Sequence, residues 1–299
     1  MITKSTVLIL GAGASSPYGF PTGEQLLENV HDDLVKNERY YQELGFPGDL
    51  IISFRKDLLY SARYSVDAFL EKREEFIILG KAAIARILIP FENTSNLFPA
   101  QPKRGNWYKL IFNKLDTDFD DFDKNSLSVI TFNYDRSFEQ YLITAMMTNY
   151  KKAPEECAAK LNSIPIVHVY GKLGALPFQD ESLTREYEPN INPPDLLAVS
   201  EGIKIISERS SEVTEEFTKA KKLISAASRE KVVFLGFGYH DDNLKRIGKD
   251  FLDSKYPIGS SFKLKRAKRQ EINGKWGIRL PDESSELDVL DFLETHVMW

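Results

Sequence analysis

VLILGAGASSPYGFPTGEQLLENV, residues 7–30, passes from an apolar run through a Gly-Ala-Gly-Ala-Ser turn into a segment of helical spacing. Val7–Leu10 does not alternate with polar residues, so it reads as a strand buried on both faces. Leu26, Leu27, Val30 and Leu34 recur at helical spacing and predict a helix over Gly23–Lys36. A glycine pair between a buried strand and a helix lets the backbone approach a pyrophosphate, and the helix start offers unpaired N–H groups. Gly11 and Gly13 fit that role. Ser16 stands where the dinucleotide fingerprint wants a third glycine, and Asp32 and Asp33, near the distance of its acidic residue, sit in a helical pattern. No Gly-Lys-Ser/Thr follows, which argues against a P-loop. Taken alone, the turn is equally compatible with a tight connection that holds no ligand.

Working outward, similar apolar runs recur at Val129–Phe132, Ile164–Val169, Ile203–Ile206 and Val232–Leu235, with helical patterns over Arg136–Thr148 and Thr214–Ser228 between them. Strands alternating with helices predict an α/β fold, a Rossmann-like parallel sheet with helices on both faces. Residues 38–125 are too long for a loop and read as an inserted helical lobe, Ser65–Ile87 among its helical pieces. The expected organisation is one domain over 1–299, with residues 1–37 and 126–299 as its Rossmann-like core. Pro177 and the proline-rich stretch Phe178–Pro194 predict a loop over the site or a plain connection. The basic patch KLKRAKR (263–269) reads as a solvated face, and LDVLDFLETHVMW at the end as a helix.

Bulk properties narrow the function. The net charge of −5 argues against a general nucleic-acid binder. A single cysteine, Cys157, excludes an internal disulfide and a cysteine-based zinc site, so no metal is expected. No apolar run reaches the roughly 20 residues of a membrane span, and MITKST leads straight into a strand without a secretory signal, so the expected location is the cytoplasm.

Three more strand ends carry polar residues. VITFNYDRSFEQYL places Asn133 and Asp135 at the carboxyl end of a parallel strand, where α/β ligands bind; Asp135 would equally cap the next helix and Asn133 satisfy its own turn. IPIVHVYGKLG puts His168 near another such end, as a satisfied core residue or as a base at neutral pH, with Gly171 and Gly174 allowing a sharp exit. VVFLGFGYHDDNL adds Gly236 and Gly238. Together with the first turn these ends make one candidate crevice.

These motifs in this order resemble the Sir2 family, in particular the bacterial Sir2-like proteins that degrade NAD+ in defence against phage. The matching residues are Gly11-Ala12-Gly13-Ala14-Ser15 with Gly19-Phe20-Pro21, Thr131-Phe132-Asn133-Tyr134-Asp135, His168-Val169-Tyr170-Gly171-Lys172-Leu173, Gly236-Phe237-Gly238-Tyr239 with Asp242-Asn243-Leu244, and SVDAFLE at Ser65–Glu71. Two departures separate the chain from the Sir2 deacetylases. It lacks their four zinc cysteines, and Pro21-Thr22-Gly23 stands where they place an arginine.

The resemblance implies an NAD+ hydrolase, yielding ADP-ribose and nicotinamide, as the effector of an abortive-infection system. It implies that Gly11, Ala12, Gly13 and Ser15 hold the pyrophosphate by backbone N–H groups and one hydroxyl, and that Pro21 and Thr22 are also cofactor-binding. Asn133 would orient the ribose or the attacking water, Asp135 the carboxamide, and His168 would be the base. Gly171 would contribute to binding, and Gly236 and Gly238 would line the adenosine half. A module sensing NAD+ or ADP-ribose without cleavage, an ADP-ribosyltransferase and a residual deacylase stay open. An unrestrained NAD+ hydrolase would kill its host, and the Sir2-like part is expected to fill nearly all of these residues, without a separate sensor domain. Control is therefore expected from self-assembly into a homo-oligomer, from a partner such as an ATPase, an Argonaute-like protein or a nucleotide-sensing subunit, or from both.

Overall fold

In the computed structural model, residues 1–101, 105–179, 183–205, 214–226, 231–252 and 256–299 are described. Five parallel strands form one sheet in the order β3-β2-β1-β4-β5, with β1 Thr6–Leu10, β2 Leu127–Thr131, β3 Ile166–His168, β4 Lys231–Leu235 and β5 Ile258–Gly259. This is a Rossmann-like α/β architecture. Every residue of β1 is buried, as the unalternating run Val7–Leu10 requires of a central strand covered on both faces. Register aligns Leu10 with Thr131 on one side and with Leu235 on the other. The strand order therefore reverses at β1, and the carboxyl ends of β1, β2 and β4 finish level there, at the switch point where α/β sheets take ligands.

The helix Gly23–Lys36 forms as its spacing predicts. Leu26, Val30 and Leu34 are buried, and Thr22 closes a capping box with Gln25. Thr22 thus serves the helix start, with Pro21 buried beside it. Between Lys36 and Leu127 the described chain forms helices and no strand. Ser65–Ile87 is not one helix. It breaks into Val66–Leu70, a 3-10 turn at Glu74–Phe76, and Ile77–Leu88. Stacking of Phe54, Phe69 and Phe76 fills the corner between them. The helix Ile77–Leu88 packs against Gly23–Lys36 and against Pro193–Glu201, where its buried alanines Ala82, Ala83 and Ala85 leave little bulk.

Two other expectations need correction. The described part of the expected strand Ile203–Ile206, residues 203–205, is not a strand: Ile203 is buried but makes only an isolated bridge to Gly171, and Ile206 lies outside the described residues. Its apolar run packs a turn that follows the helix Pro193–Glu201. The sheet's remaining strand is β5, whose two residues are too short to leave a pattern. Residues 227 and 228 of the predicted helix also lie outside the described residues; its described part is Glu215–Ala226. The basic patch is mostly exposed, but Arg269 turns inward onto the Leu264 carbonyl and Asp282. No helix among the described residues is long and apolar enough to cross a membrane.

Ion pairs tie the helical residues to the sheet. Glu92, fully buried, meets Arg136 just after β2. Asp67 accepts from the Tyr134 hydroxyl, and Glu71 pairs with Arg246 at 2.7 Å. Asp33 takes bonds from Tyr41 and Arg86 at 2.5 and 2.9 Å. Asp33 therefore anchors helices to one another, and the SVDAFLE segment fastens the helical residues to the turn after β2 and to the helix Asp241–Ile247 after β4.

Candidate active site

The turn after β1 is set by close backbone packing. Gly13 N–H donates to the Gly236 carbonyl at 2.9 Å, and Gly11 N–H to the Leu235 carbonyl at 3.0 Å. A Cβ on Gly11 or Gly13 would come within 2.7 or 2.9 Å of the Gly236 oxygen. The glycines let two backbones cross at the switch point, and their N–H groups are already engaged. Ala12 N–H, at the start of the four-residue helix Ala12–Ser15, has no backbone partner among the described residues. The turn is braced from the helix Trp107–Leu115: Trp107 Nε1 donates to the Ala14 carbonyl at 2.7 Å, and Tyr108 stacks on Tyr18 at 3.8 Å.

Beside this turn the polar ends of β1 and β2 join. Asn133 Nδ2 donates to the Gly11 carbonyl and to Ser15 Oγ, both at 3.1 Å. Ser15 Oγ donates to Asp135 Oδ2 at 2.8 Å. The other Asp135 oxygen accepts from the Ser137 N–H at 3.1 Å and from its hydroxyl, which lies 2.6 Å from the Tyr108 hydroxyl. Asp135 thus opens the helix Ser137–Tyr150 and also closes onto the first turn. Burial pushes its carboxyl above the ordinary value, against the hydrogen bonds from Ser137 and Ser15.

His168 ends β3, buried, with Nδ1 3.0 Å from the Asn133 carbonyl oxygen. Its Nε2 lies 2.7 Å from Oε1 of Glu139 on the helix Ser137–Tyr150. Burial would raise the Glu139 carboxyl, yet the facing His168 charge and hydrogen bond hold it below its ordinary value. A cavity of about 10 Å³, the room of a single water, lies among Ser15, Tyr108, Asn133, Asp135 and Glu139. It is a hollow beneath the site rather than a nucleotide pocket. A bound substrate would exchange partners with these groups, since each already has one.

The remaining glycines sit around this cluster. Gly171 turns the chain just after β3 at φ +73°, its Cα against the Gly202 carbonyl. Gly238 lies beside the His240 ring, after the crossing at Gly236.

Sequence reasoning missed Glu139, Ser137, Tyr108 and Tyr187. The signal for Glu139 was its place four residues after Asp135, which returns it to the same side of the chain one helical turn on. Tyr187 lies in the irregular segment after β3, and its buried hydroxyl has no hydrogen-bond partner among the described residues. Burial raises its phenol, and the Asp135 charge adds to the rise. Removing an unpaired buried hydroxyl should not destabilise. Tyr187→Phe is expected to leave stability unchanged or to raise it by up to about 1 kcal/mol in a urea titration. A loss of more than about 1 kcal/mol would mean that the hydroxyl has a partner in solution.

Residues 127–257 match the family model described as a SIR2-like domain. The match contains Asn133, Asp135, Glu139, His168, Gly236 and Gly238, while the Gly11–Ser15 turn lies before it. SIR2-like domains use NAD+, which makes an NAD-related function the general expectation for this site. No curated protein matches the chain.

Proposed function

We propose that this chain hydrolyses NAD+ to ADP-ribose and nicotinamide. The observation that carries the reading is the gathering of Ser15, Asn133, Asp135 and His168 at the carboxyl edge of the sheet, two of them joined through the Asn133 carbonyl. The SIR2-like match, which covers the ends of β2, β3 and β4 but not of β1, supports NAD+ as the ligand.

The reaction breaks the bond between the nicotinamide nitrogen and the ribose. Nicotinamide leaves neutral, the ribose becomes oxocarbenium-like, and water adds to it and loses a proton. Ala12 N–H and the Ser15 hydroxyl are the proposed donors to the pyrophosphate, with Gly11 and Gly13 shaping the turn. Asn133 orients the ribose or the water, Asp135 accepts from the carboxamide NH2, and His168 belongs to the base. Gly236 and Gly238 border the adenosine half, and Gly171 the far side. No metal is part of this scheme.

Nicotinamide release by the purified chain tests it. Asn133→Ala and His168→Gln are each expected to lower the rate by about 10²-fold or more, with circular dichroism unchanged. Near-full release by both variants would refute the assignment. A module that senses NAD+ or ADP-ribose without cleavage has one observation in its favour: both ring nitrogens of His168 are already engaged. Binding without any nicotinamide release would select that reading.

By resemblance, the proposed setting is bacterial defence against phage by NAD+ depletion, in the cytoplasm. Control would come from self-assembly or from a partner such as an ATPase, an Argonaute-like protein or a nucleotide-sensing subunit. Rapid turnover by dilute chain alone would rule that control out.

A further inference from the structure

We propose that Glu139 is the positioning residue for His168, and that the two side chains act as one proton-holding unit. Its consequence for rate rests on the NAD+-hydrolase reading; the pairing itself does not.

A carbonyl oxygen only accepts, so His168 Nδ1, 3.0 Å from the Asn133 oxygen, carries its hydrogen. That assigns the lone pair of the neutral ring to Nε2. Nε2 faces a carboxylate oxygen at 2.7 Å, and two acceptors cannot meet at that distance without a proton between them. The proton sits on Nε2, giving imidazolium and carboxylate, or on Oε1, giving neutral imidazole and carboxylic acid. Either way the pair is neutral and holds one exchangeable proton. Side chains only 6% and 3% exposed favour that neutrality over a lone buried charge.

The base is therefore the pair rather than the ring. Its proton-accepting form has lost the shared proton, so Nε2 and Oε1 part from 2.7 Å; it has Nδ1–H on the ring and a carboxylate on Glu139, with net charge −1. That charge favours the cationic ribose for which the base activates water. The Asn133 carbonyl and the Glu139 carboxylate grip opposite edges of the ring, so its plane is fixed from β2 and from the helix Ser137–Tyr150 together. The other charged or titratable groups facing the pair are Lys172 from the segment after β3, Asp135 and Arg136 at the helix start, and Tyr187. Lys172 favours the carboxylate, and Asp135 opposes it.

Two measurements on the full chain decide the matter. The chain has four histidines, so His168 can be assigned in ¹⁵N-histidine NMR by comparison with His168→Gln. Glu139→Gln keeps the shape and a hydrogen bond but removes the charge that favours a protonated ring. A strongly hydrogen-bonded proton shared with Nε2 is expected in the wild type and is lost in that variant, while Nδ1 keeps its hydrogen. Identical ¹H and ¹⁵N signals at Nε2 in both proteins overturn the pairing. In the second measurement, Glu139→Gln is expected to lower kcat for nicotinamide release by about 10–100-fold, with little change in KM. The ascending limb of its pH profile should move to lower pH, and Glu139→Asp should recover part of the rate. Unchanged kcat and an unmoved limb in a folded Glu139→Gln protein overturn the positioning role. If the wild type releases no nicotinamide in the presence of any activator, the hydrolase reading fails, and the NMR result still decides the pairing.

Discussion

Gly236→Ala is expected to cost about 4 kcal/mol or more and to lower the melting temperature by about 10 °C. Gly236 stands at φ +55°, and a Cβ there would lie 2.0 Å from the Ala14 nitrogen and 2.3 Å from the Gly13 carbonyl carbon. Both are backbone atoms, so no side-chain rotation relieves the overlap. An alanine at positive φ adds about 1–2 kcal/mol of its own. Either the turn after β1 or the exit from β4 must retreat, and each is fastened. The Gly13–Gly236 and Gly11–Leu235 bonds, at 2.9 and 3.0 Å, are lost with the retreat, and the Trp107–Ala14 bond is strained. Each such bond contributes about 1 kcal/mol. Gly238 is the control, because its Cβ would meet only the His240 ring, at 3.0 Å, and that ring can move. Gly238→Ala is expected to melt within a few degrees of the wild type. A Gly236→Ala protein that does the same would show that the two backbones do not cross as described.

That contrast bears on how glycines are read from sequence. Gly11, Gly13 and Gly236 were visible as a set that permits close backbone approach, and close approach is what they provide. What approaches is the other strand's exit, with the N–H groups of Gly11 and Gly13 spent on it. A turn sequence states that something comes near; it does not name the visitor. The strands themselves were legible where they are central, because burial on both faces writes an unbroken apolar run, as in β1 and β4. At the edges the record was uneven: β3 lies within its apolar run Ile164–Val169, while β5 has two residues and left none, and Ile203 is apolar for packing alone.

The chemistry divided in the same way. Asn133, Asp135 and His168 stand at strand ends, so topology alone brings them to one edge. Glu139 reaches His168 from a helix turn, and Tyr108 reaches Ser137 from a helix before β2. Those meetings depend on how helices are packed, which spacing within one segment does not encode. Asp33 shows the converse. It lay near the fingerprint distance, but its helix carries it to Tyr41 and Arg86.

Glu92→Ala is expected to cost about 3–5 kcal/mol, because it strips the counter-charge from two guanidinium groups at once. Glu92 is fully buried, and so is Arg136. Arg136 spends all of its donors: Nε and Nη2 on Glu92 at 3.0 and 2.5 Å, Nη1 on the Ala175 and Arg185 carbonyls at 2.9 and 2.8 Å, and Nη2 also on the Glu186 carbonyl at 3.2 Å. Arg185 adds a second pairing to the same Glu92 oxygen. The carbonyls keep their hydrogen bonds when Glu92 is lost, but dipoles do not neutralise a charge, and water would have to enter a closed interior. The damage should be local before it is global. The Ala175, Arg185 and Glu186 carbonyls hang on Arg136, so amide exchange in residues 175–179 and 183–186 is expected to speed up at denaturant concentrations that leave β1 and β4 protected. Replacing the pair together, Glu92→Leu with Arg136→Met, removes both charges and should recover much of the loss, with Arg185 left to turn toward solvent from its 10% exposure. Glu92→Ala with a urea midpoint close to the wild type's would mean that the carbonyls alone can hold both cations. The double replacement would then gain nothing over the single one.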